Sequence, residues 1–142
     1  MDLALSEARA AGAAGEVPVG CVIVRDNAVV AKAANRTIMD RDPTAHAELL
    51  AIRAAAAALG SERLTDCDLY VTLEPCAMCA AAMSVARLRR LYYGAADTKG
   101  GAVENGVRFF SAPTCHHRPE IYGGIGEAAA AALLKDFFQA RR

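Results

Sequence analysis

The spacing of hydrophobic and polar positions changes several times along the chain, and each change marks an element. Over residues 2–13, "DLALSEARAAGA", apolar positions recur at helical spacing, which predicts a helix ending near Gly15. "PVGCVIVRD" (18–26) is a β-rich apolar run and predicts a strand. Asp26 and Asn27 supply turn chemistry, and residues 28–34 predict a second strand, so the pair reads as a hairpin. Residues 36–43 are polar and loop-like. Thr44 is placed to cap a helix that runs to about Leu59 and closes on Gly60. "CDLYVTLE" (67–74) predicts a strand ended by Pro75, and a helix follows from about Cys76 to Ala86. "LRRLYYGA" (88–95) predicts a further strand. Residues 96–113 contain Gly100, Gly101 and Gly106 and predict a loop with one short helix. "EIYGGI" (120–125) predicts a short last strand. "EAAAAALLKDFFQARR" (127–142) predicts an amphipathic C-terminal helix.

This order predicts an α/β protein of three layers, α/β/α, on a mixed five-stranded sheet. A hairpin opens it and right-handed βαβ crossovers build the rest. At 142 residues, 1–142 is expected to be a single domain, long enough to bury a core without staples.

Composition adds three constraints. Hydrophobic residues make up 54%, much of it alanine, which favours close helix packing over disorder. Formal net charge is zero, but residues 1–84 carry 7 Lys/Arg against 11 Asp/Glu, and residues 85–142 carry 9 against 5. The basic excess lies in "ARLRR" (86–90), Lys99, Arg108, Arg118, Lys135, Arg141 and Arg142. Five cysteines, two of them as C-x-x-C, make no disulfide framework and suit a reducing compartment. The alanine-rich N-terminus has no basic n-region and is interrupted by Asp2, Glu7 and Arg9, so it does not read as a signal peptide. No run reaches the roughly 18 apolar residues of a membrane span, and the expectation is a cytoplasmic protein.

The chemistry concentrates in "DPTAHAELLAIR" (42–53) and "VTLEPCAMCAAAM" (71–83). Cys76 and Cys79 stand i, i+3 at a helix start, so both thiols share a face, and the helix N-terminus favours the thiolate. His46 and Glu48 are i, i+2, about 200° apart on an ideal helix, and would diverge in mid-helix. In a first turn, a metal can sit over the helix end instead. Three ligands, His46, Cys76 and Cys79, leave a tetrahedral zinc one open position, the mark of a catalytic site. Glu48 is then the neighbouring acid/base. A C-x-x-C after a strand also suits a redox pair, but that reading gives "HAE" no role. Glu74 reads as support behind the ligands or as strand-end structure. Cys115, His116 and His117 lack further partners and read as incidental.

H-x-E followed by P-C-x-x-C resembles the signature of zinc-dependent deaminases. "EVPVG" (16–20), "NR" (35–36), "DPTAHAE" (42–48), "LYVTLEPCAMCA" (69–80), "YGAADTKGG" (93–101) and "DFFQARR" (136–142) resemble the bacterial tRNA-specific adenosine deaminases over nearly the whole chain. The resemblance implies a cytidine deaminase-like fold, one Zn2+ per subunit and a homodimer. It also implies conversion of adenosine to inosine at the wobble position, 34, in the anticodon stem-loop of arginine tRNA. By position it makes His46, Cys76 and Cys79 zinc ligands and Glu48 the proton shuttle. Asn35 would contact the flipped base and Asp97 the nearby nucleotides. Phe137, Phe138, Arg141 and Arg142 would face the RNA. Two rivals stay open: a deaminase of a free nucleobase or nucleoside such as guanine or cytosine, and a non-catalytic, zinc-stabilised RNA-binding subunit. Glu48 speaks against the second.

Overall fold

The computed structural model describes residues 1–141. Its elements are α1 (Asp2–Ala13), β1 (Gly20–Arg25), β2 (Ala28–Ala34), α2 (Ala47–Leu59), β3 (Asp68–Leu73), α3 (Ala77–Ala86), β4 (Arg90–Ala95), a 3-10 turn (Phe109–Ser111), β5 (Glu120–Tyr122) and α4 (Glu127–Gln139). The sheet runs β2-β1-β3-β4-β5. β1 pairs antiparallel with both β2 and β3, whereas β3–β4 and β4–β5 are parallel. The sheet is therefore mixed and five-stranded, as the element order predicts. Asp26 and Asn27 both take positive φ, 51° and 63°, the geometry of a tight hairpin turn that Asp and Asn tolerate.

Strand alternation sorts the two faces. Cys21, Ile23, Leu69, Val71 and Leu91 point toward α2 and α3 and form the main core with Ala51, Ala55, Ala80 and Met83. The opposite face is covered by α1 and α4. There the backbone approach is close. A Cβ on Gly94 would meet Ala130 Cβ at 3.0 Å, and one on Gly20 would strike the backbone of Ala4 and Ala8. Small residues thus set the helix-to-sheet distance on that side, with Leu5, Ala95 and Ala130 as a second, smaller core. No helix among the described residues is long and apolar enough to cross a membrane.

Three boundaries differ most from the sequence reading. Thr44 does not cap α2: its N–H and hydroxyl both bind Asp42 Oδ1, at 2.8 and 2.7 Å, closing a turn that delays the helix to Ala47. The last strand stops at Tyr122, because Gly124 adopts a φ of 78°. α4 ends at Gln139, short of the expected 142. Arg142 lies outside the described residues.

Candidate active site

His46 is the N-cap of α2 and Cys76 the N-cap of α3, both in extended conformation. Being just outside the helix, His46 escapes the 200° divergence from Glu48 expected within one. Two helix N-termini, flanking β3, thereby aim their first residues at one point. His46 Nδ1 lies 3.6 Å from Cys76 Sγ and 3.6 Å from Cys79 Sγ. These three are the metal-ligand group among the described residues, with all ligand atoms within 4.8 Å of one another. Zinc bonds of about 2.05 Å to nitrogen and about 2.3 Å to sulfur at a tetrahedral angle put N and S about 3.6 Å apart. The donor set and its spacing fit zinc.

An N-cap side chain ordinarily binds the helix's own free N–H groups. His46 does not. Asn35, at the end of β2, supplies the acceptor instead: its Oδ1 takes the Ala47 N–H at 2.8 Å. This leaves the His46 ring to the metal point and Asn35 Nδ2 as the amide's remaining polar group. Cys76 is held well below the usual thiol range, at about 5. The principal cause is a hydrogen bond from the Cys79 thiol, and burial opposes it; backbone N–H groups of Cys79 and Met78 and the charge of His46 add to the lowering. Cys79 is pushed the other way, first by donating to Cys76 and then by burial. Glu48, 4% exposed, is raised mainly by burial, with a backbone N–H and His46 working against the rise.

Two further buried glutamates shape the loops. Glu16 is fully buried; its carboxylate accepts the N–H groups of Ile38 (3.1 Å) and Met39 (2.8 Å) and the Thr37 hydroxyl (3.4 Å). Glu74 is 2% exposed and collects donors from residues 97–105, which hold it below the usual carboxylate range although burial pushes upward. The sequence reading passed over Glu16 as a site residue. Its one signal was a lone charge abutting the apolar run "VPVG".

The expected RNA-facing residues meet elsewhere. A cleft of about 710 Å³ is lined by Val17, Leu73, Asp97, Lys99, Phe138 and Arg141, among others. None of the three ligand-type residues lines it; Leu73 links the two places, three positions before Cys76. Phe138 is 48% exposed, whereas Phe137 is half-buried, edge-on to it at 5.3 Å, with the Arg141 guanidinium 3.4 Å over its ring. Asp97 is occupied by its own turn, its Oδ1 accepting the N–H groups of Lys99 and Gly100 at 3.0 and 2.9 Å. Part of the basic excess is paired. Arg89 binds Asp68 at 2.8 Å and Arg90 binds Glu120 at 2.7 Å, so the "LRR" cations are structural. Cys115 bonds the His117 carbonyl, and the His117 ring bonds the Leu88 carbonyl at 2.7 Å.

Comparisons with known proteins converge on one family. Residues 1–95 match the cytidine and deoxycytidylate deaminase zinc-binding region. A tRNA-specific adenosine deaminase of Agrobacterium fabrum is 61% identical over 142 residues, covering 100% of this chain and 93% of that protein. A solved structure from work on A-to-I editing by tRNA:A34 deaminases at the wobble position superposes with a TM-score of 0.93 at 63% identity, over 94% of this chain and 97% of the other. A guanine deaminase from Bacillus subtilis is less similar, with a TM-score of 0.65 and 34% identity over 78% and 82% of the two chains.

Proposed function

We infer that this chain, which belongs to the tRNA-specific adenosine deaminases and carries their zinc-binding deaminase region, is a hydrolase that converts adenosine in tRNA to inosine. The observation that carries the chemistry is the buried Glu48 beside a His–Cys–Cys set spaced for tetrahedral zinc. His46, Cys76 and Cys79 hold one zinc per subunit. When bound, zinc acts as a Lewis acid and brings the pKa of water toward about 7.

Glu48 handles the protons. The reaction adds water across C6 of adenine and expels ammonia, so one proton must leave the nucleophile and reach the ring nitrogen, and another must reach the departing amine. A carboxylate held at the cluster, away from bulk solvent, can carry both. Asn35 orients the base: with Oδ1 engaged by Ala47, its Nδ2 is the group offered to a ring acceptor. The target nucleotide is the wobble adenosine, position 34, of arginine tRNA, splayed from its stack so that the ring reaches the site.

The cleft beside α4 supports an RNA rather than a free base. An exposed ring, Phe138, lines it together with two cations, Lys99 and Arg141. A stacked base and a phosphate are the ligands such a pair suits. Asp97 holds the turn beneath Lys99, and Phe137 supports Arg141. A homodimer is supported by Val85, 80% exposed on the alanine-rich α3. A tRNA substrate supports a cytoplasmic location. The test is incubation of zinc-loaded protein with an arginine tRNA anticodon stem-loop, followed by quantification of inosine.

A further inference from the structure

Glu74 is a buried carboxylate that the deamination chemistry leaves without a task. It follows β3 and stands two residues before Cys76. Its Oε2 accepts the N–H groups of Val103 (3.1 Å), Glu104 (3.0 Å) and Asn105 (3.0 Å). Its Oε1 accepts the N–H of Asp97 (3.0 Å) and Nδ2 of Asn105 (2.7 Å). A carboxylate offers about four lone-pair sites, so five donors saturate it and leave nothing for a substrate proton. A buried charge is tolerated only when bonded this fully. Every one of these donors belongs to the segment after β4.

That segment is also built around Glu74. A Cβ on Gly101 would lie 2.5 Å from Glu74 Cδ, so only glycine lets the loop close. Next to it, the Pro75 carbonyl accepts the Ala102 N–H at 2.8 Å. The stretch that carries Cys76 and the stretch that carries Asp97, Lys99 and Gly100 are therefore joined at two consecutive residues. Ala96, Asp97, Lys99 and Gly100 line the same cleft as Phe138 and Arg141 and form the wall that the loop supplies.

We propose that Glu74 is a positioning residue for the nucleic-acid substrate: it locks the 96–105 loop to the metal-bearing strand end and so fixes the cleft wall against which nucleotides flanking the target adenosine lie. This rests on the tRNA deaminase reading. Its effect is on binding and entry of the stem-loop, not on the metal and not on proton transfer.

Glu74→Gln and the milder Asn105→Ala separate these roles. Glu74→Gln turns an acceptor oxygen into a donor that faces N–H groups. In zinc-loaded Glu74→Gln, amide hydrogen exchange at 103–105 is expected to quicken at least tenfold, with zinc content unchanged. KM for the stem-loop is expected to rise about tenfold while kcat moves less than threefold, the pattern of lost binding rather than lost transition-state contact. Asn105→Ala, which removes one donor of five, shifts both readouts in the same direction by less. The proposal is overturned by unchanged exchange at 103–105, by a fall in kcat alone, or by zinc loss in step with activity. If the wild-type protein leaves the stem-loop unaltered, the substrate reading fails and the proposal with it, whatever the exchange shows of the loop.

Discussion

Asn35 at the end of β2 caps α2 from outside, its Oδ1 2.8 Å from the Ala47 N–H. The residue that caps the helix in sequence, His46, is thereby free to face Cys76 and Cys79. One side chain is asked both to hold the helix start and to present an amide to the base, and the two roles separate by substitution. Asn35→Ala should cost about 1 kcal/mol of stability, the usual value of a lost cap, together with most of the turnover. Asn35→Asp keeps the acceptor and removes the Nδ2 donor. It should restore the melting temperature to within a degree or two while turnover stays low. Thermal unfolding beside steady-state kinetics on the stem-loop reads both.

Much of this site was legible before any coordinates. A metal cluster at two helix starts gives both "HAE" and "PCAMC" a role, and the succession of elements followed from the alternation of apolar runs. What escaped was the choice of partner for individual polar side chains. Thr44 looks like a cap because capping is a local rule, yet Asp42 two residues earlier takes both its donors. Glu16 looks like an ordinary surface charge, yet it is fully buried and holds a loop more than twenty residues away. The "LRR" cations look available to phosphate, yet Asp68 and Glu120 reach them only after parallel strand pairing. The partners of Glu16, Arg89 and Arg90 are not encoded by spacing.

Zinc should be stoichiometric and structural as well as catalytic. Metal analysis should find about one equivalent per chain, and chelation should lower the melting temperature, since a metal that binds only the folded state stabilises it. Cys76→Ser should lose the metal. Full activity in protein shown to be metal-free would remove this site from the chemistry.

Phe138→Ala and Arg141→Ala should weaken stem-loop binding without changing zinc content. Removing a stacked ring typically costs about 1–3 kcal/mol. Arg141→Ala should also flatten the dependence of affinity on salt, because one phosphate contact fewer releases one counterion fewer. Fluorescence anisotropy at several salt concentrations measures both.

Val85 on α3 is 80% exposed, among the most exposed large apolar side chains described. Light scattering at micromolar concentration should report a dimer for the wild type, and Val85→Asp should shift it toward monomer. A monomeric wild type would contradict the homodimer reading.

The central claim is that Glu48 moves protons for deamination of an adenosine displayed by tRNA. The most direct measurement follows inosine formation in an arginine tRNA anticodon stem-loop, with free adenosine, guanine and cytosine as parallel substrates, for wild-type protein and Glu48→Gln at equal zinc content. The account predicts inosine at the wobble position for the wild type, little turnover of the free compounds, and a loss of about 10²-fold or more in Glu48→Gln with stem-loop binding retained. Efficient deamination of a free base with the stem-loop untouched, or near-normal turnover by Glu48→Gln, would contradict it.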